Sequence, residues 1–241
     1  MRILITGTTG YIAKRLALQL LKNDHELVCC VRDMSRIPDE IEEHPNCTFI
    51  KVDFLEPETA KIPIDIDAAY YLIHSMSTTS DNDFETLEEQ CAQNFKSLVS
   101  TTTCQQVIYL SGIVNDDSLS KHLKSRLQVE NTLKSDAYAL TVFRAGIIVG
   151  SGSASFEIIR DIVEKLPIMV TPRWLNTKTQ PLGIRDVLTF LSGGLGKKEL
   201  YNKSYDIFGP EVLTYKEMLL QFAEIRGLKR YIYTLPLLSP K

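Results

Sequence analysis

Residues 2–32 constrain the fold more than any other part of this chain. An apolar run, Arg2-Ile3-Leu4-Ile5-Thr6, opens directly into Gly7-Thr8-Thr9-Gly10-Tyr11-Ile12-Ala13. There the apolar spacing changes from that of a strand to that of a helix. Ile12, Leu16 and Leu20 recur every fourth residue beside Ala13 and Ala17, while Lys14, Arg15, Gln19 and Lys22 face away. A second apolar run, Leu27 to Val31, follows and ends in Arg32. Strand, glycine turn, helix, strand is the first half of a dinucleotide-binding unit. The turn suits a phosphate: Gly7 can take backbone angles a side chain would forbid, and Gly10 lets the main chain approach an anion. The free N–H groups and positive dipole end of the following helix would face it. Ala13, small at the third position, lets helix and sheet pack closely.

The alternation continues. Strand-like runs at Thr48–Val52, Ala68–Ile73, Val107–Leu110 and Ala139–Phe143 are interleaved with helix-like stretches near Asp83–Thr102 and Ser118–Lys134. This predicts a doubly wound α/β Rossmann sheet over residues 1–150, with ligands at the carboxyl ends of its strands. Gly150 to Ser155 reads as a flexible connection. Residues 151–241 read as a smaller substrate lobe on the same domain. Within it, Phe156–Lys165, Arg185–Leu195 and Tyr215–Arg226 are helical, Ser204–Phe208 is a short strand, and Pro167–Pro181 is irregular. The apolar end, Leu235 to Lys241, reads as a truncation before a further C-terminal domain.

Charge and cysteine usage narrow the function. A net charge of −3 with both signs interspersed gives no footprint for nucleic acid. No apolar stretch reaches the length of a membrane span, and the chain runs straight into structure rather than through a signal peptide. Five cysteines without metal-type spacing, and four dispersed histidines, predict reduced core thiols in a cytoplasmic protein and no metal. The oligomeric state is not legible.

Several motifs in order resemble the atypical short-chain dehydrogenase/reductases of the nucleoside-diphosphate-sugar-epimerase-like, NAD(P)H-binding kind, and nearly the whole chain takes part. Thr6 to Ala13 resembles that family's TGxxGxx(G/A) turn, which implies cofactor contacts at Gly7, Thr9, Gly10, Tyr11 and Ile12. Val52-Asp53-Phe54-Leu55 resembles its adenine-binding segment, implying Asp53 and Phe54. Tyr71-Leu72-Ile73-His74-Ser75 resembles the segment along the ribose, implying Ile73, His74 and Ser75; a locally satisfied strand-end histidine is a simpler account of the His74 ring than catalysis, and its backbone can still line the cofactor. Leu110-Ser111-Gly112 resembles the strand end bearing the catalytic serine, which otherwise is simply a serine ending a strand, and Phe143-Arg144-Ala145-Gly146 the nicotinamide-side segment, implying Ala145 and Gly146. The run from Gly150 to Phe156 and on through Gln180 to Val187 is most similar to bacterial members with an extra C-terminal domain.

The chain departs from the family where the chemistry is concentrated. Family enzymes carry Tyr-x-x-Ser-Lys on the helix after strand five, with a glutamate eight residues past the tyrosine. Here the segment reads His122-Leu123-Lys124-Ser125-Arg126, with Glu130 at that offset. Arg126 keeps the charge and can hold ribose hydroxyls, but it does not release a proton near neutral pH. His122 can exchange one. The resemblance therefore implies Ser111, His122 and Arg126 as the catalytic set. A solvated helix face with an i,i+4 Arg126–Glu130 pair explains the same stripe without catalysis.

Arg32 stands where NAD-preferring sites place an acid, which favours NADP through a guanidinium–phosphate pair; Asp33, next to it, leaves NAD open. Arg144, Arg173 and Trp174 are candidates for shaping a pocket for an anionic or flat group. Two functions fit: an NADP-dependent oxidoreductase or epimerase-like enzyme acting on a small carbonyl or alcohol substrate, and an NAD(P)H-binding sensor or assembly protein of the NmrA-like kind.

Overall fold

The computed structural model describes residues 1–57, 61–73, 84–114 and 121–235, excepting the side chains of Phe84, Lys121 and His122. In chain order the elements are β1 (Arg2–Thr6), α1 (Tyr11–Lys22), β2 (Glu26–Val31), α2 (Asp39–Glu42), β3 (Cys47–Lys51), β4 (Ala68–Tyr71), α3 (Phe84–Val99), β5 (Gln106–Gly112), α4 (Lys121–Thr132) and β6 (Ala139–Ala145). There follow β7 (Ile148–Val149), α5 (Ala154–Lys165), β8 (Ile168–Thr171), β9 (Lys178–Thr179), β10 (Leu182–Gly183) and α6 (Ile184–Gly193). The last are β11 (Lys203–Ile207), β12 (Leu213–Thr214), α7 (Tyr215–Ile225) and β13 (Tyr231–Thr234).

Two compact units share the chain: residues 1–144 with 188–206, and residues 145–187 with 207–241. The first holds a seven-stranded sheet in the order β11-β6-β5-β4-β1-β2-β3. The pairings β1/β2, β1/β4, β2/β3 and β4/β5 are all parallel. The strand order reverses between β1 and β4, so the residues after β1 lie at a topological switch point, where such sheets take their ligands.

The sequence accounts for this layout. α1 buries Ala13, Leu16, Ala17, Leu20 and Leu21 along one stripe. It ends at Asp24, whose φ of +57° turns the chain directly into β2. β4 is buried along its whole length, as a central strand covered on both faces must be. The Tyr71 ring stands edge-on to Phe95 and Tyr109, with centroids 4.9 and 5.8 Å away. The Tyr70 hydroxyl donates to the Leu191 carbonyl at 2.9 Å. Buried Gln106 donates to Thr141 Oγ1 and the Gly194 carbonyl and accepts from the Gly196 N–H, tying β5 to β6 and to the loop after α6.

The second unit packs Val163, Met169, Leu175, Leu219 and Ala223 with Ile159, Ile162, Phe222 and Ile232 around it. Sequence pattern leaves Pro167–Pro181 irregular; instead β8 forms there and pairs in parallel with β13, Met169 opposite Ile232. The strand was hidden because its partner lies some sixty residues downstream and because Ile168 and Val170 put apolar side chains outward, which erases the usual alternation. Ile168, Val170, Tyr231 and Tyr233 are each more than half exposed on that outer face. The short strand read at Ser204–Phe208 is β11, and it joins the main sheet beside β6.

Candidate functional site

The site starts with Gly7, which leaves β1 at φ +67°. A Cβ on Gly7 would stand 2.6 Å from the Leu72 carbonyl oxygen, so only glycine lets the turn pass the end of β4. Thr6 holds the two strand ends together: its hydroxyl donates to the Tyr70 carbonyl (3.2 Å) and accepts from the Leu72 N–H (2.9 Å). The Gly7 carbonyl accepts from Gly10 N–H at 2.8 Å, closing the turn. Gly10 then caps α1 with no side-chain hydrogen bond, and the first turn of the helix carries no acid. Thr9 and Gly10 are exposed, and Tyr11 and Ile12 partly so. Uncapped N–H groups at a positive dipole end, beside backbone that admits no side chain, fit a pyrophosphate.

Tyr11 adds a feature the sequence did not announce. The Arg15 guanidinium lies over its ring at 3.9 Å and donates to its carbonyl, and the buried Tyr11 hydroxyl has no hydrogen-bond partner among the described residues.

Arg32 and Asp53 follow β2 and β3 and share one rim of the sheet. Both charges reach the Cys91 thiol, whose pKa burial pushes up to about 11, with Asp53 adding to the rise and Arg32 opposing it. Arg32 is exposed. Asp33 is engaged otherwise: its carboxylate accepts from the Ser35 N–H (3.0 Å) and hydroxyl (2.7 Å), which holds its pKa below the usual range. Asp53 likewise accepts from the Leu55 N–H at 3.0 Å. The Phe54 ring packs in the core against Phe95, and its carbonyl accepts from Asn94 Nδ2 at 2.7 Å. Ile73 is partly buried against the same core, and His74 and Ser75 lie outside the described residues.

At the end of β5, Ser111 is 2% exposed, and its buried hydroxyl has no hydrogen-bond partner of regular geometry among the described residues. The neighbouring Tyr109 phenol directs its proton to the Arg126 carbonyl, at 3.5 Å, and lies beside the Ser111 hydroxyl. Arg126 crosses the adjacent Gly112, where a Cβ would stand 3.1 Å from Arg126 Cδ. Arg126 thus lies against the residue that follows Ser111 at this strand end. His122 falls on α4, its side chain outside the described residues. Ser125, between them in the motif, is buried and donates a short hydrogen bond to the buried Glu88 carboxylate of α3; no spacing within the motif signalled that partner.

Glu130 departs from the solvated i,i+4 arrangement. It is 3% exposed, binds Arg144 through both oxygens at 2.7 and 3.0 Å, and accepts from the Ser204 hydroxyl at 2.8 Å. Arg144 therefore ties α4 to β6 rather than standing ready for a substrate, and Asp206 lies 3.9 Å from its other amino group. In the second unit Trp174 is half exposed, edge-on to Tyr215 at 6.0 Å, and Ala145 and Gly146 begin that unit.

The family model described as NAD(P)H-binding matches residues 7–153. Among curated proteins, the photosystem II assembly factor Ycf39 of Trieres chinensis is 24% identical over 98% of this chain and 73% of its own length. Among solved structures, UDP-glucuronic acid 4-epimerase from Bacillus cereus in complex with NAD aligns with a TM-score of 0.80 at 20% identity, covering 98% of this chain and 86% of that one. UDP-glucose 4-epimerase of Thermotoga maritima aligns at 0.78 and 13% identity, again over 98% and 86%. These two likenesses establish the Rossmann architecture.

Proposed function

The chain belongs to the NAD(P)H-binding family, and from that premise we propose that it is an NADP(H)-dependent oxidoreductase or epimerase-like enzyme acting in the cytoplasm on a small carbonyl or alcohol substrate. When bound, the nicotinamide supplies or accepts the hydride. The chain's own groups do the rest. The Gly7–Gly10 turn and the N-terminus of α1 hold the pyrophosphate, and Arg32 pairs with the 2′-phosphate while Asp33 stays with Ser35. Arg126 holds the ribose hydroxyls and remains charged throughout. Ser111 donates its hydrogen bond to the reacting oxygen, and His122 exchanges the proton.

One observation carries the catalytic part: the Ser111 hydroxyl, buried at the end of β5 with no hydrogen-bond partner of regular geometry among the described residues, next in sequence to the Gly112 that Arg126 crosses. A buried donor left unsatisfied costs about 1–3 kcal/mol, and a substrate oxygen would supply what it lacks.

The test is NADPH oxidation against aldehydes, ketones, quinones and nucleotide sugars, in parallel with His122→Ala and Arg126→Ala. His122→Ala is expected to lower turnover by about 10²–10⁴ with cofactor affinity nearly unchanged. Arg126→Ala is expected to weaken cofactor binding. Tight NADPH binding with no turnover of any substrate defeats the catalytic part.

That result would leave a second reading, a dinucleotide-binding assembly or sensor protein. It is favoured by His122 and Arg126 standing where family enzymes carry tyrosine and lysine. The exposed apolar face of β8 and β13 fits it, and so does the assembly role in the name of the Trieres chinensis relative.

A further inference from the structure

The Cys29 and Cys47 sulfurs lie 3.5 Å apart across β2 and β3. Cys47 sits opposite Leu27, so the two cysteines share a face of the sheet on a diagonal. A disulfide needs the sulfurs at about 2.05 Å, roughly 1.5 Å closer. β3 is the edge strand, held in the sheet by β2 alone, and it can make that adjustment without unseating a second neighbour.

The pair is chemically asymmetric. Cys47 is the one cysteine of five that is not buried. The hydrogen bond it shares with the Cys29 sulfur lowers its pKa, while the same contact, followed by burial, pushes Cys29 up. Burial also raises Cys30 and Cys104 to about 12 and Cys91 to about 11, so these three stay protonated and unreactive near neutral pH.

We propose that Cys29 and Cys47 form an oxidisable dithiol site that closes to a disulfide under hydrogen peroxide and thereby loosens the dinucleotide site; this second step rests on the cofactor assignment above. The Cys47 thiolate attacks one peroxide oxygen, the O–O bond breaks, and hydroxide leaves, giving a sulfenic acid. Cys29 sulfur then displaces that oxygen: the S–S bond forms, the S–O bond breaks, and the Cys29 proton leaves with the oxygen as water. Two thiols lose two electrons in all, and one peroxide becomes two waters.

The coupling follows from what the pair touches. The Cys29 sulfur meets the hydroxyl of Thr8, a buried residue inside the phosphate turn that also donates to the Ile5 carbonyl. Drawing β3 along β2 also displaces Asp53, two residues past the strand. Closure therefore disturbs the phosphate turn and the Asp53 rim together.

The experiment counts thiols by denaturing alkylation and intact mass before and after peroxide, maps the cross-linked peptide, and titrates NADPH in both states. The intact protein is expected to lose two thiols, yield a Cys29–Cys47 peptide, and recover both thiols with dithiothreitol. Its NADPH affinity should fall about tenfold on oxidation, a usual size for coupling between sites. Cys47→Ser should lose no thiol pair and should keep its NADPH affinity through peroxide. Cys29→Ser should leave a sulfenic acid on Cys47 that dimedone traps. An unchanged thiol count in the intact protein, or a cross-link joining any other pair, overturns the site. A Cys29–Cys47 disulfide with unaltered NADPH affinity overturns the coupling. If the reduced protein binds no NADPH, the cofactor assignment fails, and the thiol count still decides the site.

Discussion

At the scale of single residues, the roles proposed for Arg32 and Gly7 are separable. A guanidinium pairing with a phosphate is worth about 1.5–3 kcal/mol as a charge-assisted contact. Arg32→Ala should therefore weaken NADP(H) binding by roughly tenfold to a hundredfold and leave NAD(H) almost unaffected, which calorimetric titration with both cofactors measures. Equal loss for both would place Arg32 outside the 2′-phosphate site. Gly7→Ala forces a side chain into φ +67° and against the Leu72 carbonyl. It should lower the urea midpoint by an amount equivalent to about 1–3 kcal/mol and weaken both cofactors alike. The two variants thus separate recognition of the adenosine end from construction of the turn.

At the scale of elements, the clearest test lies where α4 meets β6. Arg144→Met leaves Glu130 buried with Ser204 as its remaining named partner. The loss should be about 2–4 kcal/mol, moderated because a quarter of the Arg144 side chain is exposed, and thermal melting reads it. Adding Glu130→Leu should return part of the stability by removing the stranded charge. In the second unit α7 opens on a capping box between Thr214 and Glu217. Thr214→Ala should cost about 1 kcal/mol. The Glu217 pKa is held down by its bonds to the Thr214 N–H and hydroxyl. Its contribution is therefore full above the unfolded glutamate pKa and fades as pH falls through the lower folded value, so acid titration should narrow the gap between Thr214→Ala and the parent protein.

These elements also show what a sequence can disclose. α1, β1 and β2 were legible because strand and helix periods change within one short stretch and every relevant contact is local. β8 was not, because only pairing with β13 makes it a strand. Ser111, Gly112 and Arg126 are readable as a motif, and the side chain of Arg126 comes to lie against Gly112. The partners of Glu130 and Ser125, by contrast, come from β6, β11 and α3. Nothing within four residues of either hints at them. The dithiol was equally hidden: Cys29 and Cys47 are eighteen residues apart and meet only through strand register.

For the whole molecule, the binding site is an energetic part of the fold. The turn after β1 is built at the switch point of the sheet, from residues of β1, α1 and the end of β4. A ligand there binds the folded chain and not the unfolded one. Saturation at a hundredfold over Kd should add about 2.7 kcal/mol, read as a rise in melting temperature. At equal concentration the rise should be larger with NADPH than with NADH, and Arg32→Ala should erase that difference.

The cluster of Glu130, Arg144, Ser204 and Asp206 has a consequence for how such a protein changes over generations. The chain leaves the sheet-bearing unit after Arg144 and again after Asp206, and these two side chains approach within 3.9 Å, with the Glu130 carboxylate binding Arg144 and accepting from Ser204. Both points of departure are fastened to one buried carboxylate. The chain re-enters that unit at Leu188, within α6, so the fastening secures two of the three crossings. Changes to the second unit that spare α6 and the last residue of β11 can therefore accumulate without touching the groups that close the first unit.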